Sequence, residues 1–140
     1  MSIQAVLAPV FVLIGLTFVL LFLTGQRRIG AVKQGKTQIR DIVLDDSNWP
    51  ADATQASNAF NNQFQLPVLF YVLVVLALIV HKADLLFVVM SWIFVALRFV
   101  HAGIHITTNW LGNRFMAYTA GLVILLAMWI IFAARILLAI

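Results

Sequence analysis

The sequence predicts an all-α fold, an integral membrane four-helix bundle that forms a single domain over residues 1–140. Hydrophobic residues make up 64% of the chain and the mean hydropathy is +1.04, whereas a soluble domain is about half apolar. Only nine basic and five acidic residues are present, too few to cover a soluble surface of this size. Four apolar stretches remain, and each is long enough to cross about 30 Å of hydrocarbon as a helix of roughly 20 residues.

The four predicted helices cover about residues 4–24, 54–80, 85–108 and 114–134. The polar stretch Gly25-Gln26-Arg27-Arg28 predicts the end of the first helix, and a loop of about 28 residues follows it. The first apolar stretch has no basic leader, so we expect a retained helix and not a signal peptide.

The distribution of basic residues predicts the orientation in the membrane. Five of them lie in or beside the first loop (Arg27, Arg28, Lys33, Lys36 and Arg40), while the second loop holds only Lys82. Cytoplasmic loops carry the excess of Lys and Arg. We therefore expect cytoplasmic first and third loops and both termini outside. The same placement explains the pI near 10.1 without a nucleic-acid partner.

Polar side chains in two of the predicted helices converge on the cytoplasmic half. Arg98, His101 and His105 are spaced i, i+3 and i+7 on one face of the third helix, and Asn58, Asn62 and Gln65 share a face of the second. Arg114 opens the fourth. Ionisable groups inside a membrane are costly and usually face a cavity or a partner. This pattern therefore predicts a polar pocket.

Simpler interpretations exist for each of these residues. Amide and imidazole side chains also hold membrane helices together, Arg98 could extend toward the interface, and Arg114 could be an interface anchor. His101 and His105 could hold a metal or haem, but no third ligand is evident, so we expect no metal site. The chain has no cysteine, which excludes disulfides, thiol catalysis and cysteine metal ligation.

The stretch from Asn61 to Tyr71 resembles the second-helix signature of the MAPEG superfamily, the membrane-associated proteins of eicosanoid and glutathione metabolism. Asn62 matches the Asn of an Asn-x-x-Glu pattern, and Gln65 stands where Glu is usual. Arg98-Phe99-Val100-His101 followed by Arg114 resembles the family's Arg-x-x-His and downstream Arg. The stretch ending in Arg28 resembles the end of its first helix, and Tyr118 falls where one branch has a Tyr.

The resemblance implies a homotrimer that binds glutathione between subunits on the cytoplasmic side. It implies that Arg114 is catalytic and stabilises the glutathione thiolate. The residues then expected to bind glutathione are Arg28, Asn58, Asn62, Gln65, Arg98, His101, His105 and Tyr118. Five positions depart from the family pattern: Gln65 replaces a carboxylate, Asn58 and Asn61 replace arginines, His105 replaces a Tyr, and Phe115 replaces a Ser.

We therefore predict a MAPEG-like membrane glutathione transferase or peroxidase that acts on lipophilic electrophiles or lipid hydroperoxides. Its expected partners are membrane lipids, a lipophilic small-molecule substrate that enters from the bilayer, and two further copies of the chain. The alternative is a non-catalytic protein of the same fold that binds lipids or serves as an accessory membrane protein.

Overall fold

The all-α prediction is confirmed in a computed structural model that describes residues 1–43 and 45–140, with Asp46 described by its backbone alone. Every regular element in those residues is helical. In chain order they are α1 (Ile3–Lys33), α2 (Ile39–Ile42), a 3₁₀ turn (Asp46–Asn48), α3 (Ala51–Asn62), α4 (Leu66–Ile79), α5 (Leu85–Ile106) and α6 (Leu111–Leu137).

The chain is a multi-pass membrane protein. Four segments are long and apolar enough to cross a bilayer: α1, α3 together with α4, α5, and α6. Large apolar side chains lie exposed around the outside of the bundle, among them Phe11, Phe22 and Val123. Such a surface is far more apolar than a soluble monomer tolerates, so lipid is its natural solvent.

The first helix is longer than we predicted. We expected it to end near Thr24 at a break formed by residues 25–28, but α1 continues to Lys33. The apolar stretch ends near Thr24, whereas the helix continues beyond it. The additional turns are held by tertiary contacts, because Arg27 donates to the backbone oxygens of Asp52 (2.8 Å) and Ile106 (3.3 Å).

The second span is divided, although we predicted one continuous helix. Residues 63–65 are non-helical between α3 and α4, and Gln65 has φ −100° and ψ −105°. Pro67 is the second residue of α4. Its ring lacks an N–H and would clash with the carbonyl of Gln63 in an unbroken helix. The chain therefore unwinds before Pro67 and starts a new helix.

The bundle has an apolar middle and a sealed end opposite its polar end. α1 packs along α3, and α5 packs along α6. Phe70 and Phe94 stack with ring centroids 5.0 Å apart in the core. At the sealed end, Arg135 near the end of α6 bonds Asp84 before α5 at 2.8 Å. This hydrogen bond holds the pKa of Asp84 below its ordinary value.

Candidate functional site

A cavity of about 460 Å³ opens between the last turns of α3, the end of α5 and the start of α6. This volume is in the usual range for small-molecule sites. The residues that line it are Asn58, Asn61, Asn62, Gln65, His101, His105, Leu111, Arg114, Phe115 and Tyr118.

The cavity brings together seven of the nine residues that the sequence singled out: Asn58, Asn62, Gln65, His101, His105, Arg114 and Tyr118. The other two, Arg28 and Arg98, do not line it. Leu111 is a lining residue that gave no sequence signal, because a leucine in a membrane protein carries no pattern of its own. The ligand-binding roles of all nine residues stay predictions.

Arg98 lies behind the cavity wall, with 1% of its surface exposed. Its Nη2 donates to Asn62 Oδ1 at 2.6 Å and to the Asn62 backbone oxygen at 3.4 Å. Among the described residues, Nε and Nη1 of Arg98 have no hydrogen-bond partner. The Arg98 bond uses one of the two lone pairs of the Asn62 amide oxygen. Both amide N–H groups of Asn62, which are donors, remain for the cavity.

Arg114 is the fourth residue of α6 and supplies the positive charge of the cavity. Its Nη1 donates to Asn109 Oδ1 at 2.6 Å. Asn109 has φ +50°, a left-handed conformation in which Asn is several-fold enriched. Sequence spacing does not show that the turn holding Asn109 folds back onto Arg114. The bond fixes the guanidinium beside the N-terminal turn of α6, where unsatisfied N–H groups also favour an anion.

Three aromatic rings form one corner of the cavity. The His101 ring centroid lies 5.6 Å from that of His105 and 5.5 Å from that of Tyr118. Nδ1 of each imidazole is buried without a hydrogen-bond partner in the described part of the chain. No group of three or more His, Cys, Asp or Glu side chains that could hold a metal ion is found there either. The two histidines thus line the cavity, and Nδ1 of each ring can still form a hydrogen bond.

Arg28 holds the long first helix against α3. Its Nη2 donates to Ser57 Oγ at 3.2 Å, and its guanidinium carbon lies 4.8 Å from the centroid of the Trp49 ring. These contacts place Arg28 outside the cavity of a single chain. Together with the Arg27 bonds, they fix the start of α3 relative to α1 and α5, and so position two walls of the cavity.

Comparison with known proteins adds to this geometry. The sequence model of the MAPEG family matches residues 6–134 of the 140-residue chain. The chain belongs to the MAPEG family. No curated protein and no solved structure matches it. MAPEG proteins generally use glutathione and are typically trimers.

The cavity of this MAPEG protein suits some parts of glutathione better than others. The tripeptide offers a thiol, two peptide groups, two carboxylates and one ammonium. Arg114 can meet a thiolate or a carboxylate, and the amides of Asn58, Asn61 and Asn62 can meet peptide groups. No acidic side chain lines the cavity among the described residues. The ammonium therefore meets no group of opposite charge among the described cavity residues of this chain.

Proposed function

We propose that this MAPEG protein is a membrane glutathione transferase or peroxidase acting on lipophilic electrophiles or lipid hydroperoxides. The observation that carries the proposal is Arg114, whose guanidinium is held at the cavity by Asn109 at 2.6 Å. Family membership supports glutathione chemistry in general. The fixed positive charge of Arg114 would stabilise the thiolate that this chemistry requires.

Arg114 would act by favouring the thiolate over the thiol. A free thiol has a pKa near 8.5, so only a few per cent is ionised at about pH 7. A nearby cation together with a helix N-terminus lowers such a pKa by about one to three units. Thiolate then becomes a large fraction of the bound thiol, and the thiolate is the reactive nucleophile.

The chemistry that follows depends on the acceptor. With an electrophilic carbon, the sulfur forms a C–S bond and the leaving group departs with its electron pair. With a hydroperoxide, the sulfur attacks the terminal oxygen, the O–O bond breaks, and the products are glutathione sulfenic acid and, after the alkoxide takes up a proton, the alcohol. A second glutathione then yields the disulfide and water. Leu111 and Phe115 line the cavity and are about two-thirds exposed, so an apolar acceptor from the bilayer would meet an apolar rim.

The proposed assembly is a homotrimer with cytoplasmic first and third loops and both termini outside. The excess of Lys and Arg in the first loop supports this orientation. The cavity lies at the same end of the bundle as that loop, so glutathione would reach it from the cytoplasm.

The test is an ultraviolet measurement of thiolate when glutathione is added to the detergent-purified protein at neutral pH. The wild type should raise a thiolate signal and conjugate a lipophilic electrophile. Arg114→Ala should abolish both, and Arg114→Lys should keep part of each, because the charge remains and the planar guanidinium is lost. Arg40→Ala is the matched control, since Arg40 is exposed on α2 outside the cavity. A thiolate signal that survives Arg114→Ala would contradict the proposal.

A non-catalytic lipid-binding or accessory protein is the second candidate. It is favoured by the lack of an acidic side chain among the described cavity residues, where Gln65 contributes a neutral amide. Glutathione that binds without any thiolate signal, in the wild type and in Arg114→Ala alike, would select this candidate.

A further inference from the structure

None of the acidic side chains that the structure describes lines the cavity. The chain has five acidic residues, at positions 41, 45, 46, 52 and 84. Asp84 is bonded to Arg135 at the sealed end, and Asp52 accepts the Ala53 N–H at the start of α3. A ligand in the cavity therefore meets no negative charge from the side chains that the structure describes.

Two positive charges, by contrast, lie at or directly beside the cavity. Arg114 lines it, and Arg98 is buried directly behind Asn62. Because the amide oxygen of Asn62 accepts a hydrogen bond from Arg98, Asn62 offers the cavity chiefly its two amide N–H donors. Donors and cations suit carboxylate and carbonyl oxygens, and they disfavour an ammonium.

A ligand ammonium in this cavity would exchange water for neutral oxygens beside two guanidinium groups. Burying a polar or charged group without full compensation is unfavourable. We propose that the thiol preferred by this site carries a carboxylate but no ammonium: a thiol of peptide size whose amino group is acylated or absent. This inference rests on the proposed function, because it assumes that a thiol occupies the cavity.

The experiment compares two thiols that differ only at the amino group. One is glutathione, and the other is glutaryl-cysteinyl-glycine, in which hydrogen replaces the ammonium. Calorimetric titration of the detergent-purified full chain should show the second binding at least about fivefold more tightly. N-acetylglutathione, which is neutral at the same atom, should also bind more tightly than glutathione.

Gln65→Glu provides the complementary test, because it places a carboxylate in the cavity wall. A hydrogen bond to a charged group should then favour glutathione, and the ratio of the two affinities should shift by about tenfold or more. Gln4→Glu is the matched control. Gln4 is exposed in the first turn of α1, at the other end of the bundle, so the same added charge should leave the ratio unchanged.

The outcomes separate this inference from the proposed function. If wild-type protein binds glutathione more tightly than its deaminated analogue, the ammonium has a charged partner, such as an acid of a second copy. The inference is then wrong, while the proposed function stands. An affinity ratio near one that Gln65→Glu does not change would also overturn the inference, because the amino group would then lie outside the cavity. If neither thiol binds to any variant, the proposed function itself fails.

Discussion

The hydrogen bond between Arg98 and Asn62 couples a buried charge to a residue of the cavity wall. Arg98 is 1% exposed, and Nη2 is its one nitrogen with a hydrogen-bond partner in the described chain. Asn62 is only partly buried and faces the cavity. We therefore expect the two residues to respond very differently to substitution.

Asn62→Ala should be the costly change. It leaves a buried guanidinium with no side-chain partner, and a buried charged donor left unsatisfied costs about 3 kcal/mol or more. Arg98→Met removes the buried charge and keeps much of the apolar volume. It frees the Asn62 oxygen at a site that water can reach. Its cost should be within about 1 kcal/mol, because hydrophobic replacement of buried polar pairs is often nearly neutral.

The assay is reversible unfolding in mixed detergent and SDS, followed by circular dichroism to give the free energy of unfolding. In the Arg98→Met background, Asn62→Ala should cost about 1 kcal/mol or less, so the double-mutant cycle should give a coupling of roughly 2 to 4 kcal/mol. Asn61→Ala is the control, since Asn61 is an exposed neighbouring amide and should change stability by about 0.5 kcal/mol at most. If Arg98→Met proves more damaging than Asn62→Ala, another group stabilises the Arg98 charge and the reasoning is wrong.

Three further predictions concern assembly, orientation and pH. Native mass spectrometry in mild detergent should show a trimer, and a fully stable monomer would contradict the proposed assembly. Because the chain has no cysteine, single variants Lys36→Cys and Lys82→Cys can be labelled directly; the first should react only from the cytoplasmic side and the second only from outside. Since its bond to Arg135 lowers the pKa of Asp84, this pair should stabilise the fold above about pH 4, an effect that is lost as the pH falls through the lowered pKa. Asp84→Asn should remove that part of the acid sensitivity in SDS unfolding, whereas an unchanged pH profile would assign it to other carboxyls.

The fold class was predictable because a membrane restricts the choice of structure. An apolar chain in lipid must satisfy its backbone hydrogen bonds within helices or a closed barrel, so composition and segment length decide most of the answer. The end of α1 was not predictable in this way. Apolar character stops near Thr24, but the last turns depend on Arg27 reaching Asp52 and Ile106, contacts between residues distant in sequence.

The division of the second span, in contrast, had a visible signal. Pro67 is incompatible with an unbroken helix through Gln63, whereas the apolar run that follows it favours one continuous span. Membrane helices often tolerate proline as a kink, which made the continuous interpretation attractive. The clash between the proline ring and the carbonyl of Gln63 decides between the two structures.

Helical spacing correctly grouped most of the cavity residues. It could not distinguish the residues that line the cavity from those buried behind them. His101, His105 and Arg98 share a face of α5, yet only the histidines line the cavity. The role of Arg98 depends on how deeply α3 covers that face of α5. The spacing of residues in the sequence carries no information about that coverage. The anchoring of Arg114 by Asn109 likewise depends on a left-handed turn residue.

The short length of α4 determines how deep in the membrane a water-soluble molecule and a lipid-soluble molecule can meet. Its 14 residues extend about 21 Å, less than the hydrocarbon thickness of about 30 Å. The polar residues of α3 that line the cavity must then begin below the surface of the membrane. A water-soluble molecule in the cavity and an apolar molecule dissolved among the lipid tails therefore reach the same depth. Each arrives there through its own medium, and neither has to cross into the other.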